Sequence, residues 1–293
     1  MNIGILSRGP LLYSTQSLWE AGQRRGHFVY VIDHTQCQLL LEGERPMVYF
    51  EGKPLHHLHA IIPRIGASVT SQGAAVIRQF ELMGLFTTTP SDALLQSRDK
   101  LFCLQRLLQN GIPIPRTMYL NQPEQLPAMV EAVGGFPVVI KLLESTHGVG
   151  VLLAENKTQA SSILEMLMRL GQRVVVQEFI REAEGADIRA FVVAGEVVAV
   201  MRRQASDGEF RSNLHRGASA TPDALSEEEI RMVKDTVATM GLDIAGVDLL
   251  RSSRGALVME VNASPGLEGI ETVTGVDIAA KIIKLVERKA KGK

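Results

Sequence analysis

The segment Gly246–Asn262 reads Gly-Val-Asp-Leu-Leu-Arg-Ser-Ser-Arg-Gly-Ala-Leu-Val-Met-Glu-Val-Asn and sets three oxygen-bearing side chains into two oily runs. Ser253, Arg254 and Gly255 are expected to form a three-residue hairpin loop, whose last position lies at positive φ and favours glycine. Pairing Ser252 with Ala256 then puts Asp248 opposite Glu260, roughly 5 Å apart at Cβ. Asn262 lies two residues on from Glu260 and so shares its face. Facing carboxylates repel unless something positive lies between them. Two carboxylates and an amide oxygen on rigid strands suit a hard cation such as Mg2+, which takes a few protein oxygens and completes its shell with water or phosphate. The competing reading is a solvated sheet face with scattered acids. Val247, Leu249, Leu257, Val258, Met259 and Val261 weigh against it, because they make both strands look buried on two sides.

The chain of 293 residues is long enough for two or three domains with substantial cores. Its 31 basic and 32 acidic residues create no global field for nucleic acid or membrane, so a charged partner has to be met by a local patch. Cys37 and Cys103 stand far apart in apolar contexts without Cys-x-x-Cys spacing, the pattern of reduced, buried thiols. No apolar run reaches 18 residues and the opening Met-Asn-Ile-Gly-Ile-Leu-Ser is too short for a signal sequence, so a soluble, cytoplasmic protein is expected.

Taken in order, residues 2–6, 14–25 and 27–33 read as strand, helix and strand, and a further strand at 60–65 and helix at 72–83 complete an α/β unit over 1–89. Ser7-Arg8-Gly9-Pro10 lacks the Gly-x-Gly-x-x-Gly of a dinucleotide site. His56, His57 and His59 alternate sides of an extended chain among apolar neighbours, a poor arrangement for a metal. Ser91 is expected to cap one long helix reaching Gln109, with Ser97-Arg98-Asp99-Lys100 as a polar turn upon it. After a helix at about 123–133, the strand 136–141 ends in Lys141-Leu-Leu-Glu-Ser-Thr-His-Gly-Val-Gly, where Gly148 and Gly150 permit close backbone approach and positive φ. The following Val151–Ala154 is again a strand, whereas a Walker loop enters a helix. The arrangement is similar to the Gly-rich flap of kinases with a strand lysine beneath it, and an ordinary Gly-containing hairpin is the plainer reading.

A helix at 158–170 leads to the buried strand Arg173–Ile180, whose exit offers main-chain groups to an adenine edge and Glu178 to a ribose or amine; alternatively it is only a strand end. Two strands, 187–193 and 196–203, meet at Ala194-Gly195, with Asp187 and Arg189 on one face. The polar excursion 201–217 carries Arg202, Arg203, Arg211 and Arg216 against Asp207 and Glu209, and guanidinium forks suit carboxylates and phosphates. A helix at 226–240 opens with a Ser226/Glu229 capping box, and a Gly-punctuated loop, 263–270, precedes a closing helix at 277–289.

Lys100, Lys141, the Gly loop, Gln177-Glu178-Phe179-Ile180, Asp187-Ile-Arg189 and Asp248…Met-Glu260-Val-Asn262-Ala-Ser-Pro-Gly266 occur in the order found in ATP-grasp ligases. The run Met259–Glu271, with Arg211–Gly217 ahead of it, the opening Ile-Leu-Ser-Arg and the segment Ile62–Gly66, resembles the RimK branch, enzymes that add glutamates to the C-terminal tail of a small-subunit ribosomal protein. The likeness covers essentially the whole chain. It implies an α/β (α+β) ATP-grasp fold: an N-terminal α/β pre-ATP-grasp domain over 1–89, then two α+β subdomains, 90–180 with the flap and 181–293 with the metal site, sandwiching ATP. It implies Lys100 and Lys141 with Gly148 and Gly150 on phosphates, and Glu178, Phe179 and Ile180 around adenine. It further implies Asp187 on the ribose side, Arg211, Ser212 and Asn213 near nucleotide and acceptor, and Asp248, Glu260 and Asn262 on Mg2+ or Mn2+, as two ions. Phe179 stands where a tyrosine is common, which is immaterial if the backbone reads adenine.

The implied chemistry is activation of a carboxylate by the γ-phosphoryl of ATP, followed by attack of the glutamate amine on the acyl phosphate and release of ADP and phosphate. Arg189 would hold the attacking carboxylate or the tetrahedral oxyanion, and Arg202, Arg203, Arg211 and Arg216 would attract an acidic tail and a glutamate side chain. The expected partners are ATP, L-glutamate and the acidic tail or poly-α-glutamate, with neither nucleic acid nor membrane, and the resemblance implies a homotetramer. The alternatives are a ligase for another small-molecule or peptide carboxylate, a kinase-like phosphotransferase, and an ATP-binding regulatory module.

Overall fold

Near the N-terminus the apolar strands pair in parallel, because a helix carries the chain back along the sheet between them. The computed structural model describes residues 1–43, 46–120, 122, 125–143, 150–206, 209–214 and 217–290. Strands β1 (Asn2–Leu6), β2 (Phe28–Ile32), β3 (Gln38–Leu40), β4 (Met47–Phe50), β5 (Lys53–Pro54), β6 (Ala60–Pro63) and β7 (Phe86–Thr87) come with helices α1 (Tyr13–Arg24) and α2 (Thr70–Leu82). The main sheet has the order β2-β1-β6-β7, all parallel, while β3, β4 and β5 make a small antiparallel sheet that the sequence pattern did not announce. His56 and His57 pack edge to face (6.1 Å, 90°), and His59 Nδ1 accepts the Asn2 N–H (2.9 Å). Among the described residues no group of three or more His, Cys, Asp or Glu is arranged to hold a metal.

The expected single helix from Ser91 to Gln109 is two: α3 (Ser91–Arg98) and α4 (Lys100–Gln109). The break is Asp99, whose ψ of 101° leaves the helical region while its carboxylate accepts the Phe102 N–H (3.0 Å), so the polar turn is the N-cap of the second helix. Ser91 does not cap the first. Its N–H and hydroxyl both donate to the Glu81 carboxylate (2.9 and 2.7 Å), fastening α3 to the end of α2. Leu94, Cys103, Leu107 and Ile112 bury into the same core as Leu6, Ile61 and Phe80 of the N-terminal unit and Ile188, Val247 and Val258 of the C-terminal sheet.

Strands β8 (Thr117–Leu120), β9 (Val138–Leu142), β10 (Val151–Ala154) and β11 (Val174–Glu178), with helices α5 (Leu126–Ala132) and α6 (Lys157–Arg169), form an antiparallel sheet of order β10-β9-β11-β8 over its own core, including Leu126, Ile140, Leu164 and Val176. The β9–β10 connection joins strand to strand as expected, with Val151 opposite Lys141. Its residues 144–149, including Gly148, lie outside the described residues.

The third sheet has the order β14-β13-β12-β15-β16, built from β12 (Ala186–Val193), β13 (Glu196–Gln204), β14 (Ser219–Pro222), β15 (Ile244–Ser252) and β16 (Gly255–Asn262). Helix α7 (Glu227–Thr239) enters through the expected Ser226/Glu229 capping box, and α8 (Glu268–Thr274) occupies part of what reads as a loop. The hairpin differs from expectation at its tip: Ser252 pairs with Gly255 (φ +95°), which leaves the two-residue turn Ser253-Arg254. That register alone would misalign the acids. A bulge at Met259 restores it, because the Val258 N–H leaves the hairpin to donate to the Pro113 carbonyl (2.8 Å), and Asp248 lies opposite Glu260 after all.

Helix α9 (Ile278–Ala290) packs on α1 and returns the C-terminal unit to the parallel sheet. Glu287 on α9 accepts from Arg25 Nε and Nη2 (2.8 and 2.7 Å) and meets His27 Nε2 at 2.7 Å. The Arg25 hydrogen bonds hold the Glu287 carboxyl at about 2, well below the ordinary range. A carboxyl depressed in the folded state stabilises above its unfolded value and loses that contribution as pH falls through about 4.5 toward about 2. Glu287→Gln should therefore lower the thermal midpoint at neutral pH, and the difference from the parent chain should vanish as unfolding is followed toward pH 2.

Candidate active site

Four charged side chains form a ladder across three neighbouring strands. Register places Arg189 on β12 beside Asp248 on β15, and Asp187 on β12 beside Arg203 on β13. Arg189 donates through Nε and Nη2 to the two oxygens of Asp248 (2.7 and 2.6 Å), and Arg203 does the same to Asp187 (2.6 and 2.6 Å). Arg203 Nη2 also stands 3.0 Å from Asp248 Oδ2, joining the two pairs. Burial alone would push the Asp248 carboxyl up, but Arg189 and Arg203 outweigh it and hold it below the usual carboxylate range. Two guanidiniums against two carboxylates leave the ladder neutral, with every ion forked, which is the condition under which buried charge is tolerated.

This ladder revises two expectations. Arg203, whose side chain is 3% exposed, spends its fork on Asp187 and Asp248 and presents none to an incoming acidic tail. Arg202, its neighbour, points from the opposite side of β13, is exposed and reaches Gln204 Oε1 (3.4 Å), so the two cannot grip one acceptor together. Asp187 is likewise committed to Arg203, with Ser212 adding a hydrogen bond. Arg189 keeps a side-chain exposure of 17%, and among the described residues its Nη1 has no hydrogen-bond partner.

One cleft lies between the central and C-terminal sheets. Lys100, Lys141, Glu178, Phe179, Ile180, Asp187, Arg203, Arg211, Ser212, Asn213, Asp248 and Glu260 all line it. Lys100, at the start of α4, donates to the Leu143 carbonyl (3.3 Å) beyond the end of β9. Burial pushes the Lys141 ammonium down to about 8, with Glu260 opposing the shift and Lys100 adding to it. Gly150 sits at φ +70° at the foot of the flap, and a Cβ there would stand 2.4 Å from Leu142 Cδ1, so glycine is required on two counts.

The expected free carboxylate of Glu178 is engaged: it accepts the Arg116 N–H (2.7 Å) and pairs with Arg254 from the tip of the hairpin, whose neighbour Ser253 donates to Glu182 (2.6 Å). The hairpin tip thus braces the wall formed by Glu178, Phe179 and Ile180. Phe210, unmarked by any sequence signal beyond its place in the polar loop, meets Phe179 edge to face (6.4 Å, 71°) and lies under the Arg211 guanidinium (5.5 Å). Arg211 forks Glu209 (2.9 and 2.7 Å) and donates to the Val151 carbonyl (3.2 Å), tying the polar loop to the flap strand; Glu209 falls to about 2, chiefly through that bond. Arg216 lies outside the described residues.

Glu260 faces Asp248 and is partly buried, and among the described residues neither its carboxylate nor Asn262 Oδ1 takes a hydrogen bond or ion pair. Hard oxygen donors with uncommitted valence fit a divalent cation. Asp248 already accepts three N–H groups and retains a lone-pair direction, so Glu260 and Asn262 are the freer members of the set.

Two family models match the chain, a RimK PreATP-grasp domain over residues 1–94 and a RimK-like ATP-grasp domain over residues 97–286. The chain belongs to the RimK-type ATP-grasp family. Curated relatives include a "Probable alpha-L-glutamate ligase 2" of Pseudoalteromonas atlantica, 54% identical over 99% of this chain and 97% of that one, and a "Probable alpha-L-glutamate ligase" of Vibrio cholerae, 51% identical over 100% and 97%. Among solved structures, the ATP-grasp ligase PsnB with its minimal precursor superposes at a TM-score of 0.77 (22% identity, 98% of each chain), and a RimK domain protein of Sphaerobacter thermophilus at 0.73 (21%, 98% and 100%). The fold is therefore ATP-grasp, and the protein is a ligase of the class that forms C–N bonds with ATP and Mg2+.

For an ATP-grasp ligase the Lys141 value has a sign that can be checked. If Lys141 meets a phosphate of ATP it does so as the protonated amine, so ATP affinity should hold below about pH 8 and weaken as pH rises through it, visible as a rising KM for ATP. Lys141→Arg, which stays charged, should flatten that rise. Gly150→Ala should destabilise the flap strand by about 1–2 kcal/mol from positive φ alone, and lower kcat; an unchanged kcat would remove the flap from catalysis.

Proposed function

We propose that the protein is an α-L-glutamate ligase acting in the cytoplasm, which activates an acceptor carboxylate with ATP and joins L-glutamate to it by an α-linked amide. The observation that carries this reading is the single cleft in which phosphate-type cations, an aromatic wall and the Asp248/Glu260 pair converge, in a chain whose relatives bear that name. The acceptor is the acidic C-terminal tail of a small-subunit ribosomal protein, or the growing poly-α-glutamate made on it, and the active form is a homotetramer.

A carboxylate is a poor acyl donor until oxygen becomes a leaving group. The acceptor carboxylate attacks the γ-phosphorus, giving an acyl phosphate and ADP; the glutamate amine then attacks the acyl carbon and expels phosphate. Lys100 and Lys141 neutralise phosphoryl oxygens. Phe179 and Phe210 hold the base between apolar surfaces. Arg189, anchored by Asp248, offers Nη1 to the oxyanion of the second step. Asp248, Glu260 and Asn262 would hold Mg2+ or Mn2+, as two ions, which when bound supply charge for the bridging phosphate oxygens. No Ser or Cys nucleophile is needed, since catalysis comes from placement and charge.

A peptide acceptor is the alternative to a ribosomal tail, favoured by the complexes of PsnB and of the macrocyclase MdnC with precursor peptides, which share this fold. Incubation with ATP, L-glutamate and each candidate acceptor, followed by mass spectrometry, separates them by shifts in whole glutamate residues. ADP and phosphate are the expected products; AMP and pyrophosphate would exclude the acyl-phosphate route, and a stable phosphorylated acceptor without amide would mark a phosphotransferase. Glu260→Gln should cut turnover by about a hundredfold or more even at saturating Mg2+, and near-parent turnover would remove Glu260 from the cation site.

A further inference from the structure

Two partly buried arginines lie outside the nucleotide cleft and, unlike Arg189 and Arg203, make no ion pair with a carboxylate among the described residues. Arg64 follows β6 at the C-terminal edge of the parallel sheet, the edge at which open α/β sheets receive ligands. Its Nη2 donates to the Pro265 carbonyl (2.7 Å), just beyond the metal-type hairpin. Arg98 ends α3 and donates through Nη2 to the carbonyl of Ile65, the residue after Arg64, while its Nε is buried without a partner. Neither guanidinium has an acidic side chain within salt-bridge distance among the described residues. Asn262 Nδ2 and Ser264 Oγ, on the chain leading to Pro265, are also buried and unpartnered. Main-chain carbonyls orient these arginines; burial and the nearby Arg98 push the Arg64 guanidinium down to about 10, and at Arg98 burial outweighs the opposing pull of the Glu260 carboxylate. Two like charges in one desolvated junction are costly unless an anion completes the set.

We infer that Arg64 and Arg98, with Asn262 Nδ2 and Ser264 Oγ, form a carboxylate subsite that holds a substrate carboxylate other than the one being phosphorylated. The inference rests on the ligase reading for its chemistry. Planar forks beside an amide and a hydroxyl suit a planar carboxylate, whereas the phosphates are met by the lysines on the other side of Glu260. A Cβ placed on Gly246 would stand 2.9 Å from Pro265 Cβ and 3.8 Å from Arg189 Nε, so Gly246 lies against both the loop that anchors Arg64 and the Arg189 guanidinium. A dicarboxylic substrate is thereby gripped at one end and presented at the other. The carboxylate belongs either to the incoming L-glutamate or to the acidic acceptor.

The full chain with Arg64→Gln or Arg98→Gln, checked for an unaltered melting profile, is assayed with L-glutamate, a peptide ending in two glutamates and ATP. KM for one carboxylate substrate should rise about tenfold or more, the loss of a charge-assisted pair, with KM for ATP within about twofold. A rise for glutamate assigns the subsite to the incoming amino acid, and a rise for the peptide assigns it to the acceptor. Should both variants fail to fold, Ser264→Ala should raise the same KM by about threefold or more. Unchanged KM for both carboxylates, or a fall in kcat alone, overturns the proposal. Calorimetric titration of the ADP-bound enzyme with L-glutamate and with the peptide keeps the two readings apart. A parent chain that forms no amide refutes the ligase assignment, while equal binding of both probes by parent and variants, or no binding by the parent, refutes the subsite.

Discussion

Everything in the C-terminal half hangs on the Arg189–Asp248–Arg203–Asp187 ladder. Buried ion pairs contribute little net stability, because desolvation offsets their attraction, yet removing one member leaves a charge stranded. The ladder is therefore better understood as a device for orientation. It fixes the register of β12, β13 and β15 at the end of the sheet that faces the cleft, and it holds Asp248 ionised beside Glu260 where a lone acid would repel its partner. Without it, the apolar strands would still pair and the hairpin would still set Asp248 opposite Glu260, but Asp248 would lose the guanidiniums that hold it ionised there.

The central sheet is joined to this frame by long side chains and a shared aromatic wall. Lys100 bridges α4 to the end of β9, Arg211 clasps the foot of the flap strand, and Arg254 reaches from the hairpin tip to Glu178. The sheet has its own core, and Ile180 and Ala183 beyond its last strand pack on Leu257 and Leu250 of the hairpin, so polar and apolar links together join the two sheets. Polar links of this kind exchange partners at low cost, whereas packed apolar faces do not.

Much of this was legible in the chain. Strand and helix periodicity located most elements, and the pairing of Asp248 with Glu260 followed from the hairpin pattern. That pairing was reached through a loop one residue too long, and only the bulge at Met259, drawn out by a distant Pro113 carbonyl, made it right. A single sequence has no means of announcing such a contact. The same limit explains Asp99, which reads as one charge in a polar turn until its carboxylate is seen on the Phe102 N–H. It also explains Glu178 and Arg203, whose polar ends looked available because their partners lie on other strands. Residue type and spacing revealed which side chains gather; which of them are already spent depends on strand order.

The distribution of unspent charge then shows how the two halves of the chain divide the chemistry. Among the described residues, those lining the cleft all lie beyond 96, so the parallel sheet supplies none of these walls. Yet the end of β6 is bonded to the loop that leaves the hairpin, and Arg98 is bonded to the end of β6. Lys141 lines the cleft and Arg98 lies by the end of the parallel sheet, and the Glu260 carboxylate acts on both. A reaction that carries a phosphoryl group from nucleotide to carboxylate needs anions on both sides of the transfer point, brought together in a site that keeps water out. The α/β unit is joined to the ATP-grasp frame by a shared core and by α1 against α9, so the bonds at the end of β6 serve to fix the loop beyond the hairpin rather than to carry the union of the two units.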